Sequence, residues 1–124
     1  MGGSHIQRFD EIPWHVPAPR REETDLDTPP APGQPGRKFL VEGGGGFYVQ
    51  AVRLPPDAEA PLHHHDQAEV FLVVEGACRF NGEPMGPLDS VVVEAGEDYG
   101  FVAGGEGVTF LVTRGAVAEY REAE

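Results

Sequence analysis

Short β-favouring segments, separated by turn residues at even intervals, constrain this chain more than any other feature of its sequence. Val, Phe and Tyr dominate the segments, a composition that packs well on a half-buried sheet. The pair Asn81-Gly82 is the strongest signal for a two-residue hairpin turn. The segments cover residues 47–54, 68–74, 77–80, 90–94, 99–103 and 108–114, with Gly, Pro or Asn between them. Because no window shows the apolar stripe of a helix, the sequence predicts an all-β sandwich or barrel.

The chain divides near residue 38. Half of the 12 prolines fall between Pro17 and Lys38, around a charge cluster at residues 20–27, and such a stretch sustains neither a helix nor a central strand. We expect it to be an extended arm or a leader with little order. The predicted units are residues 1–38 (a tag remnant and the Pro-rich arm), 39–120 (the β-barrel) and 121–124 (a C-terminal tail). Apolar residues that could anchor the arm to the domain or to a second subunit are Ile6, Phe9, Ile12 and Trp14.

Charge and composition exclude several classes of partner. The net charge of −12 over 124 residues opposes binding to nucleic acid and to anionic membranes. The longest apolar run, residues 70–74, is far too short to span a bilayer. Cys78 is the single cysteine, so an internal disulfide is impossible and a reducing, cytoplasmic compartment is expected. The small size of the predicted barrel favours a homodimer.

One segment has the residue types and spacing of a metal site. His63 and His65 lie on the same face of a strand, because side chains alternate, and their imidazoles can reach one ion. A short turn then leads to Glu69 at the start of the next strand. Two imidazoles and one carboxylate are the ligand composition of non-haem iron sites that keep open coordination positions. A tag-like surface cluster is the alternative for the histidine triplet.

These residues resemble the first motif of the cupins, G(x)5HxH(x)3–4E(x)6G. The spacing from His63 through Glu69 to Gly76 matches, and Asp57 stands in place of the opening glycine. The second motif, G(x)5PxG(x)2H(x)3N, is degenerate, since only Gly96 is kept. Leu88 replaces its opening Gly, Glu94 its Pro, Tyr99 its ligand His and Ala103 its Asn.

The resemblance implies a double-stranded β-helix, a jelly-roll barrel, with a divalent transition metal inside. The metal ligands would be His63, His65, Glu69 and, at the fourth position, Tyr99. Iron is the first choice, with manganese, nickel, copper or zinc possible. Three roles are open for Tyr99: a phenolate ligand, a hydrogen-bond donor or acid–base catalyst, or a core aromatic.

Candidate pocket residues lie near this site. Phe71 follows Glu69 on the same face, Phe101 follows Tyr99, and Gln67 lies in the turn at the mouth. Core packing for the two phenylalanines, and solvation for Gln67, are the competing interpretations. The resemblance favours a metal-dependent enzyme acting on a small organic molecule, with dioxygenase-type oxidation ahead of isomerase, cyclase or lyase chemistry. A non-catalytic ligand- or metal-binding domain, or a barrel without metal, is the alternative.

Overall fold

The computed structural model describes residues 3–17 and 26–116 in full, and the backbone of residues 120–122. Most of the predicted charge cluster, residues 20–25, and the end of the predicted tail, residues 123–124, lie outside these ranges. The strands are β1 (Gly36–Glu42), β2 (Tyr48–Leu54), β3 (Glu59–His65), β4 (Glu69–Phe80), β5 (Glu83–Met85), β6 (Ser90–Val93), β7 (Tyr99–Arg114) and β8 (Tyr120–Glu122). The predicted all-β fold is confirmed. Among the described residues no helix has the length and hydropathy needed to cross a membrane.

Two long strands, β4 and β7, connect two antiparallel sheets. The first sheet has the order β1-β2-β7-β4-β6 and uses the C-terminal half of β7 and the N-terminal half of β4. The second has the order β8-β3-β7-β4-β5 and uses the other halves of the same two strands. Because β3 belongs to the second sheet and the N-terminal half of β4 to the first, the turn after His65 carries the chain from one sheet to the other.

Glycines with positive φ let β4 and β7 continue where the sequence predicts breaks. Gly76 has a φ of 75° and Gly107 a φ of 80°, and the β4–β7 register shifts beside Gly76. A Cβ on Gly76 would lie 2.2 Å from the carbonyl oxygen of Gly107, so only glycine fits there. The prediction of separate strands at 68–74 and 77–80 is therefore wrong, since a glycine in a paired strand makes a bulge as readily as a turn.

The predicted hairpin turn is confirmed. Asn81 and Gly82 both have positive φ, 47° and 82°, and they join β4 to β5 with Phe80 opposite Glu83. Two other residues with positive φ are Asp57, at 62°, and Leu88, at 72°. Both stand where the cupin motifs open with glycine, the residue that adopts positive φ at the least cost.

The N-terminal arm docks on the outer face of β1 and β2. His15 forms a β-bridge with Arg37, and the Trp14 ring covers Gly36 so closely that a Cβ there would lie 2.9 Å from it. The Lys38 ammonium lies 3.8 Å from the centre of the Phe9 ring and donates to the Phe9 carbonyl oxygen at 2.7 Å. Burial lowers the pKa of Lys38, with Asp10 partly opposing that shift. The sequence analysis expects the arm to dock on its own domain or on a second subunit. In the structure the arm docks on its own domain.

Candidate active site

His63 and His65 project from the end of β3 onto one face, as the alternation of the strand predicts. Their ring centroids are 5.1 Å apart, with the planes nearly perpendicular. His64 projects to the opposite face, where its Nδ1 lies 2.8 Å from a carboxylate oxygen of Asp98. His63 and His65 are thus neighbours on one face of β3, whereas His64 lies on the other face, beside Asp98.

The His63 ring is fixed by its own strand. Its Nδ1 lies 2.7 Å from the carbonyl oxygen of Pro61, and a carbonyl oxygen can only accept, so Nδ1 carries the proton. The lone pair of the neutral ring is then on Nε2. Metal-binding histidines are usually oriented by this kind of hydrogen bond from the other ring nitrogen.

Glu69 begins β4, and its carboxylate is held by two partners. The Tyr99 hydroxyl donates to Oε1, and Nε of Arg114 donates to Oε2. The register causes the second contact, because Glu69 and Arg114 are directly opposite each other on β4 and β7. The Glu69 side chain has no exposed surface, and that of Arg114 is 14% exposed. A buried carboxylate with a guanidinium partner avoids the large free-energy cost of an uncompensated charge.

The carboxylate approaches the imidazoles without joining them. Nε2 of His65 lies 3.9 Å from Oε1 of Glu69, the same oxygen that receives the Tyr99 hydroxyl. Within residues 3–17 and 26–116, no three His, Cys, Asp or Glu side chains are grouped to hold a metal ion. The assignment of His63, His65, Glu69 and Tyr99 as metal ligands stays a prediction.

Tyr99 occupies the centre of this arrangement. It is opposite His63 in the β3–β7 pairing, with the two rings 4.4 Å apart, and it is 2% exposed. Its ring stacks on Phe80 at 5.2 Å, with an angle of 13° between the planes. Tyr99 is thus packed in the aromatic core and donates a hydrogen bond to Glu69. Its role toward a metal or a substrate stays a prediction.

Phe71 and Phe101 lie beneath Tyr99, in the aromatic core. Their ring centroids are 6.3 Å apart, and they help to line an internal cavity of about 10 Å³. That volume holds one water molecule at most. Gln67 lies in the half-buried turn between β3 and β4. The role of these three residues in a substrate pocket stays a prediction, and a substrate would have to enter from the side of the imidazoles.

Arg114 is the site residue that the sequence reasoning missed. The inward positions at the end of β7 are Val108, Phe110, Val112 and Arg114, as their register with β4 shows. A charged residue at the last inward position of an otherwise apolar alternation is a sequence signal for a buried ion pair. Its partner cannot be identified from the sequence, because Glu69 is 45 positions away.

A groove of about 840 Å³ is on the outside of the barrel between the arm and the first sheet. Its two cations already hold the arm, because Arg53 stacks on Trp14 at 4.2 Å and Lys38 bonds to Phe9. The histidines lie outside this groove. The candidate site is therefore the imidazole pair with the neighbouring tyrosine, carboxylate and guanidinium.

Comparison with known proteins identifies the fold. A sequence profile described as "Cupin domain" matches residues 50–114. The polyketide cyclase RemF from Streptomyces resistomycificus superposes with a TM-score of 0.73 at 20% identity, covering 100% of this chain and 87% of the cyclase. KdgF from Halomonas sp. superposes with a TM-score of 0.68 at 18% identity, covering 98% and 96%.

A third solved structure has higher sequence identity. A sugar phosphate isomerase of the cupin superfamily from Silicibacter pomeroyi is 30% identical, with a TM-score of 0.63, covering 89% of this chain and 74% of the isomerase. Among curated proteins no significant match is found.

Proposed function

The chain belongs to the cupin family, and from that premise we propose that it is a metal-dependent enzyme that moves a proton on a small organic molecule. The reaction class is isomerase, cyclase or lyase chemistry. One observation carries the proposal: the chain of hydrogen bonds from Arg114 through Glu69 to Tyr99 ends against the imidazoles of His63 and His65. The printed names of structural neighbours include a cyclase, an isomerase and a putative dioxygenase, so they do not select one reaction class.

Two of the four predicted ligands suit a divalent transition metal. His63 and His65 are neighbours, and the proton position on His63 leaves Nε2 as its donor atom. Neutral imidazole suits zinc, copper, iron and nickel, so the ligand type does not select one metal. Glu69 is held by Tyr99 and Arg114, one donor on each oxygen, and each oxygen keeps a second lone pair.

In this proposal each side chain of the site has a separate role. A divalent metal, when bound, polarises a carbonyl oxygen of the substrate as a Lewis acid. His63 and His65 hold the metal. Tyr99 takes the proton from the carbon beside the carbonyl as it passes its own hydroxyl proton to Oε1 of Glu69, and both transfers reverse when the proton returns to the product. Arg114 balances the charge of Glu69 inside the barrel, and the stacked Phe80 ring keeps Tyr99 from turning away.

Dioxygenase-type oxidation is the second candidate, and the observation in its favour is a pair of imidazoles beside a carboxylate. In that candidate iron is the metal, and Glu69 is the third ligand through a remaining lone pair. The positioned hydroxyl of Tyr99 is the reason to place this chemistry after proton transfer.

The test compares proton exchange with oxygen uptake. The untagged protein is reloaded with Co²⁺ or Fe²⁺ and given simple ketones and hydroxy ketones for the exchange assay, and 1,3-diketones, flavonols and catechols for the oxidation assay. Proton NMR in D₂O under nitrogen follows exchange of the C–H groups beside carbonyls, and an oxygen electrode follows oxidation in air. We expect exchange without oxygen uptake, a loss of about 100-fold in Tyr99→Phe, and loss of metal in His63→Ala.

His64→Ala is the matched control, because His64 belongs to the same triplet but points to the other face. It should retain both metal and exchange. Oxygen uptake without exchange would favour the dioxygenase. If the metal-loaded protein neither exchanges protons nor consumes oxygen with any of these compounds, catalysis is contradicted. The chain would then be a non-catalytic binding domain.

A further inference from the structure

We propose that the substrate carries a carboxylate, and that Arg37 and Gln50 bind this group on the inner wall of the barrel. The substrate class is then a carboxylic acid with a carbonyl group farther along its carbon chain. This inference rests on the proposed function, because it names the substrate of that same site. It assigns Arg37 and Gln50 as specificity residues, which contact the substrate away from the metal.

The strand register directs both side chains to the interior. Gln50 on β2 is opposite Val112 on β7, and Val112 is opposite Phe71 on β4. Arg37 on β1 is opposite Val52, the next inward residue of β2. Residues directly opposite each other on neighbouring strands project to the same face of a sheet. Arg37 and Gln50 therefore share the face on which Phe71 packs in the core.

The β1–β2 end of this inner face is open, whereas its middle is sealed. Val112 and Phe71, in the middle, are only 3% and 5% exposed. The inward residues at the β1–β2 end are half-buried, namely Arg37, Phe39, Tyr48 and Val52. A small molecule can therefore reach this end of the face without entering the aromatic core.

The Gln50 amide is available to a ligand. The residue is 8% exposed, and among the described residues its side chain has no hydrogen-bond partner. Buried polar side chains are usually hydrogen-bonded, so an unpaired amide that is nine-tenths buried calls for a function. A carboxylate oxygen can accept a hydrogen bond from the amide N–H.

Charge selects an anionic group over a neutral one. Burial and, after it, the charge of Arg114 lower the pKa of Arg37 to about 10, so Arg37 stays protonated at neutral pH. Glu69 balances the charge of Arg114. The other inward carboxylate of the first sheet, that of Glu42, is exposed at the end of β1. A guanidinium has five N–H donors, so Arg37 can bind a carboxylate in addition to its other contacts.

The proposed carboxylate site lies within reach of the imidazoles. Only β7 separates β2 from β4, so about 10 Å lies between the backbones that carry Gln50 and Glu69. Side chains from both strands shorten this gap. A small acid whose carbonyl is a few bonds from its carboxylate can therefore contact Gln50 at one end and the metal site at the other.

The test uses the full-length, untagged protein loaded with Co²⁺ and follows proton exchange in D₂O. The two probes are 4-oxopentanoate and 5-methylhexan-2-one, in which an isopropyl group replaces the carboxylate. In the natural chain the oxo acid should have a KM about tenfold lower than the neutral ketone, with a similar kcat. Arg37→Gln and Gln50→Met should each raise the KM for the oxo acid about tenfold, and the KM for the neutral ketone should stay within about twofold.

Arg79→Gln is the control for the loss of one positive charge, because Arg79 is exposed and its guanidinium bonds to the Gly82 carbonyl. Its KM values should not change. In the Arg37 and Gln50 variants, an unchanged KM for the oxo acid would overturn the inference and leave the proposed function intact. An equal rise for both probes would also overturn it, because a merely structural role affects both probes alike.

Binding of 4-oxopentanoate, followed by saturation-transfer NMR, separates this inference from the proposed function. If no exchange occurs, but the natural chain binds the oxo acid and both variants lose that binding, the carboxylate site stands and the proposed function is overturned. Absence of both exchange and binding would overturn both.

Discussion

The Tyr99 hydroxyl donates a hydrogen bond to the fully buried carboxylate of Glu69. Removal of that hydroxyl therefore tests whether the contact stabilises the fold. Tyr99→Phe keeps the ring and its stacking on Phe80 but leaves Oε1 of Glu69 without this donor. We expect a loss of about 1–3 kcal/mol in the free energy of unfolding, measured with urea. Tyr48→Phe, at a half-exposed tyrosine, should cost less than about 0.5 kcal/mol. Equal costs in the two variants would contradict the buried contact.

Sequence spacing predicts how residues close to each other in the chain are arranged, but it does not predict contacts between residues far apart in the chain. The alternation of His63 and His65, and the position of Glu69 at the start of a strand, follow from a period of two. The partner of Glu69 follows only from the register of β4 on β7, which sequence spacing does not specify. For this reason Glu69 was predicted as a metal ligand, while its contact with Arg114 was missed.

Leu88 gives a second test at the level of one residue. Its φ of 72° is unfavourable for a side chain with a Cβ, and 76% of the residue is exposed. Leu88→Gly should therefore raise the free energy of unfolding by about 1 kcal/mol, as measured by urea denaturation. Leu88→Ala removes the same contacts but keeps the Cβ, so it should give no gain. A gain in both variants would mean that the backbone conformation is not the cause.

At the level of elements, the strands were easier to predict than their ends. Branched and aromatic residues identified the segments now seen in β2, β4, β6 and β7, and the Asn81-Gly82 turn was confirmed. Gly76 was interpreted as a break because glycine often ends a strand. Whether a glycine turns the chain or forms a bulge depends on the neighbouring strand, and here the carbonyl of Gly107 occupies the space that a side chain would need.

The docked arm provides an optical test, because Trp14 is the only tryptophan. The arm is held by ring–cation contacts at its edge, and such peripheral segments open before the core of a domain. We expect Trp14 fluorescence to change at lower urea concentration than far-UV circular dichroism. Arg53→Ala should lower the fluorescence midpoint and leave the dichroism midpoint unchanged, whereas Arg79→Ala should move neither. Coincident midpoints in the natural chain would contradict independent docking.

At the level of the whole molecule, the first sheet has one covered end and one bare end. The arm covers β1 and β2, while the outer face of β4 and β6 exposes an apolar patch of Val70, Leu72, Val74 and Val92. A second copy is the partner that we predict for this patch, because an uncharged surface can pair with itself about a two-fold axis. With a net charge of −12 each, two copies repel one another, and salt screens this repulsion. Added salt should therefore strengthen the dimer.

Light scattering after gel filtration tests this dimer. The natural chain should have about twice its mass of 13.4 kDa, and Val92→Glu should have the mass of one chain. Val102→Glu is the matched control, since Val102 is an exposed valine in the second sheet and should leave the dimer intact. A natural chain that runs as a monomer at high salt would contradict the prediction.

The central claim is that His63 and His65 hold a metal ion beside Tyr99. The most direct measurement is an anomalous difference map from a crystal of the untagged protein grown with Co²⁺, recorded at the cobalt absorption edge. The account predicts one peak within bonding distance of both imidazoles, with Glu69 still bonded to Arg114. No peak at this position, or a peak bound elsewhere on the chain, would contradict it.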